Sequence, residues 1–145
     1  MEYERARDPQ VRIIVGRLED FTASVIKKLT LDITSNLIED TPVDTGWARA
    51  NWVPAIGLPY LEDLAFVGDT REDRQAEVPG ASTRQQQGMA QVATSYKLRN
   101  GSVFISNNVP YIVLLNEGTS AQAPQAFVQT AIQRGIVQVG RTKGR

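Results

Sequence analysis

No cysteine and no histidine occur among the 145 residues. The first absence removes disulfides, thiolate nucleophiles and cysteine-ligated zinc. The second removes the commonest general base and the commonest transition-metal ligand. Catalysis, if any, would rest on carboxylates, lysine, serine or tyrosine. Net charge is missing too: Lys plus Arg number 16 and Asp plus Glu number 16. No bulk field therefore draws the chain onto nucleic acid or an anionic membrane. No apolar run approaches a membrane span, and the opening MEYERARDPQ is too polar and acidic for a signal peptide. These features describe a soluble protein made in a cytosol. The length suits a single domain over residues 1–145 with one core.

What is present begins with a stripe. Val11, Ile14, Leu18, Phe21, Val25, Leu29, Ile33 and Leu37 fall at spacings of three and four, the mark of one amphipathic helix. Asp8 and Pro9 suit its first turn, and Thr41-Pro42 stops it. Its length predicts packing across the whole domain or along a neighbouring subunit. A turn at Pro42–Gly46 then leads into a strand expected over Trp47–Ile56, with a positive backbone angle at Gly46. Residues 57–81 lose periodicity and read as a long solvated loop, with a short strand possible at Leu64–Val67. Ser82–Leu98 admits two readings. Asn100-Gly101 could turn a hairpin that pairs Leu98 with Val103, or end a helix in which Ser82 and Gln85 form a capping box and Met89, Val92 and Tyr96 share a face. The run Gln85-Gln86-Gln87 favours helix.

Val103–Ser106 reads as a strand ended by Asn107 and Asn108. Pro110 suits the start of a short helix ended by Gly118, in which Tyr111 and Leu115 share a face that packs on the long helix. Glu117 lies unfavourably at that helix's negative end, which calls for a basic partner, for instance from an adjacent subunit. Ala123-Pro124 starts a last helix with Phe127, Val128, Ala131, Ile132 and Ile136 inward. Gly140–Arg145 reads as a mobile basic tail. The order predicts an α+β fold: a long N-terminal helix and further helices packed on a small, mainly antiparallel sheet.

Three motifs bear on chemistry. Asp44-Thr45-Gly46 is the tripeptide of aspartic proteases, which need two aspartates sharing a proton. It is followed here by Trp47 instead of a small residue, and a long helix precedes it instead of a strand, so a structural turn is preferred. The acidic run Asp69–Asp73 lacks the alternation and central glycine of a calcium loop and reads as solvated. Arg134, Arg141, Lys143 and Arg145 could touch phosphate but lack interleaved aromatics. Trp47, Trp52, Tyr96 and Tyr111 read as core or interface anchors. No catalytic, cofactor or metal site is assigned.

Two segments resemble a known family. Thr41–Trp52 (TPVDTGWARANW) is similar to the "PVDTG, basic residue, small residue, tryptophan" signature of bacteriophage tail-completion proteins. Phe104–Tyr111 (FISNNVPY) and its continuation Leu114–Pro124 (LLNEGTSAQAP) resemble their second signature. These are also called tail-to-head joining or neck proteins and include relatives of the minor tail protein Z of phage lambda. The match covers about a quarter of the chain, and departs from the pattern at Trp47 and Asn116. The resemblance implies a structural virion protein, assembled in the host cytoplasm as a ring, typically a hexamer, at the head-proximal end of the tail. Its partners would be its own copies, a tail terminator or tail tube protein, and the head-tail adaptor or connector. DNA would be only passing cargo, with no membrane, cofactor or enzymatic activity. A head-side adaptor or the tail terminator itself is the alternative. The motif and interface candidates are Asp44, Thr45, Gly46, Trp52, Asn107, Asn108, Pro110, Tyr111, Glu117, Gly118 and Pro124.

Overall fold

The long helix α1 spans Pro9–Asp40. The Asp8 side chain accepts from the Gln10 N–H at 2.9 Å and proline occupies the first turn, so the start is set as the sequence indicates. Thr41 ends it: its own N–H bonds Leu37 O at 3.1 Å while its backbone is extended ahead of Pro42. In a computed structural model the described residues are 8–42, 46–62, 81–118 and 125–143. They form an α+β fold. After α1 come α2 (Gly46–Ala50), β1 (Val53–Ile56), α3 (Ala81–Ser95), a 3-10 turn at Leu98–Asn100, β2 (Val103–Ser106), α4 (Ile112–Asn116) and α5 (Phe127–Lys143). None of the helices is long and apolar enough to cross a membrane, among the described residues.

The strand expected over Trp47–Ile56 is corrected: its first part is the short helix α2, and Gly46 is a helical residue. Asn51 closes that helix, donating from its backbone to Ala48 O at 3.2 Å and from its side chain to Trp47 O at 2.7 Å. Val53–Ile56 alone is strand, and it pairs antiparallel with β2 in the register Val53↔Ser106 to Ile56↔Val103. The hairpin reading of Leu98 with Val103 therefore fails, and Ser82–Ser95 is helical. Val92 on α3 and Tyr96 just after it are fully buried, with Ala23 of α1, and Tyr96 donates its hydroxyl to Gly101 O at 2.8 Å. Gly88 lets α3 lie against β1: a Cβ there would stand 2.5 Å from Pro54 O.

The main core joins Ile33, Leu37, Ala48, Trp52, Val109, Leu115, Phe127 and Ala131. It sits under the C-terminal half of α1. There α5 crosses closely, because Ala131 and Gly135 present almost no side chain; a Cβ on Gly135 would meet Ile33 Cγ1 at 2.5 Å. This close approach corrects the expected inward face of α5. Phe127, Ala131, Gly135 and Val139 are buried, whereas Ile132 and Ile136 are exposed. Within the stretch Gly140–Arg145, expected as a basic tail, α5 continues through Lys143. Arg141 then lies in its last turn, where a cation favours the helix's negative end. The expected strand at Leu64–Val67 lies outside the described residues.

The largest departure concerns the predicted stripe. Ile33 and Leu37 are buried as read, but Val11, Ile14, Leu18 and Phe21 are exposed, with Leu18 at 60%. The first half of α1 runs beyond the core that its second half helps to build.

Candidate functional site

The two segments that carry the resemblance fold into each other. From the first, Trp52 is buried and its indole Nε1 donates to Thr41 Oγ1 at 2.8 Å, which ties β1's approach to the end of α1. Arg49 Nη2 donates to Thr41 O at 2.8 Å and Glu39 O at 3.4 Å. A guanidinium is thereby held at the negative end of α1, where its charge is favourable. Ala48 is fully buried, leaving no room for a larger side chain between α2 and the core.

The second segment answers these groups. The Asn107 side chain donates to Ala48 O at 2.7 Å and accepts the Val109 N–H at 3.1 Å. One amide thus turns its own chain and binds the other segment. Val109, two residues on, is buried beside Ala48 and Trp52. Asn108 donates to Tyr60 O at 2.8 Å and Glu62 O at 3.3 Å, anchoring the chain that leaves β1. The Tyr60 ring in turn lies under the Arg84 guanidinium, 4.7 Å from the ring centre. Tyr111 meets Trp47 edge to face at 5.8 Å between ring centres. Leu115 is buried in the main core and Tyr111 packs against it, so both reach the region of Ile33 and Leu37.

Pro110 is exposed and lies in the turn before α4, with Tyr111 as the residue that caps it. Gly118 leaves α4 at φ 96°, a conformation that glycine adopts at little cost. Glu117 is exposed and forms no ion pair among the described residues. Asp44, Thr45 and Pro124, like the acidic run Asp69–Asp73, lie outside the described residues.

Several residues at this junction have roles not marked in the sequence. Gln85 is buried and donates to Arg49 O at 3.1 Å and Trp52 O at 2.9 Å, so it ties α3 to α2 and to the residue that leads into β1; the Ser82 side chain of the expected capping box lies outside the described residues. Asn116 accepts the Val128 N–H at 3.0 Å through its side chain and the Ala126 N–H at 2.7 Å through its carbonyl, fixing the start of α5. Ala126 holds φ 62° there, unusual for a residue with a side chain. Arg134 is spent on Asp40, at 3.1 Å, and on Glu39, at 3.5 Å, so it is not a free phosphate contact. In the sequence Gln85 is marked only as a capping residue, Arg134 only as a phosphate contact and Asn116 only as a departure from the resembled pattern; Ala126 carries no signal.

Chemically, the junction is a frame. Its amides, indole and guanidinium donate to backbone carbonyls or a buried hydroxyl, and each such bond adds about 1 kcal/mol of net stability. No group of three or more His, Cys, Asp or Glu is placed to hold a metal ion, among the described residues. A shallow hollow of about 360 Å³ between α1 and the 3-10 turn is lined by Glu19, Asp20, Lys27, Lys97 and Arg99. Its mixed charges give no convergent donor set. Large apolar side chains are exposed instead on the first half of α1, at Leu58 and Leu61 after β1, and at Val113 and Leu114 on α4.

No protein family, curated protein or solved structure matches the chain.

Proposed function

We propose that the chain is a structural subunit of a tailed bacteriophage particle. It forms a ring, six-fold as the resemblance implies, at the head-proximal end of the tail and joins the tail to the head connector around the DNA channel. The observation that carries this reading is the Asn107–Ala48 bond and the core shared around it. The two segments on which the resemblance rests are far apart in sequence yet make one bonded unit. A chance likeness in two unrelated loops would not require them to meet.

The exposed apolar half of α1 supports the same reading. A subunit that works by contact keeps surface for its neighbours, and a head-to-tail contact between two different patches closes into a ring when the rotation permits. Its neighbours would be further copies, the tail terminator or tail tube protein on one side and the head-tail adaptor on the other. The subunit needs no cofactor and acts on DNA only by surrounding its path.

The test is a virion reconstruction from the phage that encodes the chain, alongside a null mutant. The expected outcome is a ring of this subunit at the neck, and unjoined heads and tails when it is missing. Normal particles in the null mutant would reject the proposal. A ring one layer away, at the adaptor or terminator position, would correct the place while keeping the structural role.

A further inference from the structure

Among the described residues the sheet has an open edge along β2, whose geometry is self-complementary. Gly57 N–H donates to Ser102 O at 2.8 Å, which makes Gly57–Ser102 a bonded pair in the register of β1 and β2. Bonded and non-bonded pairs alternate along an antiparallel ladder. Ala55–Phe104 and Val53–Ser106 are therefore bonded pairs, and Pro54, which has no N–H, stands opposite Ile105 at a non-bonded one. The N–H and C=O groups of Val103 and Ile105 consequently point away from β1. Among the described residues they have no hydrogen-bond partner. Both residues are half-buried, where unpaired backbone groups are costly.

The faces of β2 add two further observations. On one side Val103 and Ile105 join Ile26, Leu29 and Ile33 of α1 around an apolar groove of about 430 Å³. On the other side Phe104, the midpoint between the unbonded pairs, is exposed.

We propose that this edge pairs with the same edge of a second copy of the chain, antiparallel about a two-fold axis at Phe104. Val103 of one copy then stands opposite Ile105 of the other, and the outward N–H and C=O groups of both satisfy each other. Phe104 stands opposite its own counterpart at a closely spaced non-bonded position, where aromatic pairs stabilise antiparallel strands. The incoming Val103 and Ile105 extend the apolar face beside the groove. A helix could fill that groove but could not satisfy the row of backbone groups, and a strand with charged alternate residues would spoil the face. The edge's own sequence meets both demands, and such a contact is isologous. A two-fold contact makes a dimer and not a ring, so the inference concerns the free subunit and does not rest on the reading as a neck protein.

The test uses the purified full chain. Light scattering gives its mass across a concentration series, and amide hydrogen exchange is read at Val103, Phe104 and Ile105. A dimer is expected, with Val103 and Ile105 amides protected more strongly as concentration rises and Phe104 protected throughout by Ala55. Phe104→Lys should weaken the dimer by about tenfold or more, because like charges then face each other across the axis. Phe104→Glu should do the same alone, and mixing the two variants should restore dimers as heterodimers. Melting curves of both variants establish that they are folded. A monomer at every concentration overturns the proposal, as does a dimer whose Val103 and Ile105 amides exchange freely. Protection in a species larger than a dimer, or only on adding another protein, would assign the edge a different strand and overturn it equally.

Discussion

The two halves of α1 carry the same pattern and meet different fates. Both show apolar residues at spacings of three and four. In the second half Ile33 and Leu37 are buried, Asn36 donates to Ala131 O and to Gln138 Oε1, and Asp40 pairs with Arg134. In the first half Val11, Ile14, Leu18 and Phe21 are exposed. Periodicity reports that a helix has an apolar side; it does not report whether its own chain supplies the cover. A helix of 32 residues spans about 48 Å, more than the small sheet and α5 can face. The unused length is what the proposed role calls for, since it adds contact surface without enlarging the core.

Substitutions at matched positions can break or sharpen this contrast. The largest effect is expected at Leu37. Leu37→Ala should cost about 3 kcal/mol or more, read as a fall in denaturation midpoint, because it opens a cavity where the residue is 2% exposed. A loss below about 1 kcal/mol would mean that the core is not centred there.

Gly135→Ala comes next. Its new methyl group would stand 2.5 Å from Ile33 Cγ1. Overpacking of that kind costs about 1–3 kcal/mol, against a helix-propensity gain of about 1 kcal/mol. A net loss of up to about 2 kcal/mol is expected from chemical unfolding. Gly16→Ala, the same change in the exposed half, meets nothing within 4 Å. There the propensity term stands alone, so the protein should gain up to about 1 kcal/mol. Equal signs for the two glycines would erase the difference between the halves.

The smallest effect on stability belongs to Leu18→Ala, within about 0.5 kcal/mol. If the exposed stripe serves assembly, the same variant should fail to join tails to heads in a complementation assay. Full infectivity would leave that stripe without the proposed role.

Much of the fold was legible because local chemistry decides it. Asp8-Pro9 and Thr41-Pro42 bracket α1 through capping and proline sterics, and the β-branched and aromatic run Val103–Ser106 is a strand as its side chains favour. The short helix α2 was not legible. Its five residues include a tryptophan beside small residues, which alternate as a strand would. It is helical because Asn51, Asn107 and Gln85 hold its backbone from outside. The inward face of α5 was misread for a related reason. An apolar count favours Ile132 and Ile136, whereas close packing on Ile33 favours the smallest side chains. At the candidate site Trp52 and the two asparagines Asn107 and Asn108 were visible as parts of motifs. The ties from Asn107 to Ala48 O and from Gln85 to Trp52 O are distant pairings, and distance is what one sequence does not encode locally.

Pro54 and Gly88 have a consequence for how far a sheet of this kind can propagate. The outer margin of β1 lacks an N–H at Pro54, and α3 lies against the Pro54 carbonyl through Gly88. That margin cannot template another strand. Among the described residues only the β2 margin remains able to add one, so a strand added there exhausts this sheet's capacity to grow. Two such sheets joined margin to margin would end in blocked strands on both sides. The fold therefore carries its own stop against fibrous polymerisation, set by one proline and one glycine.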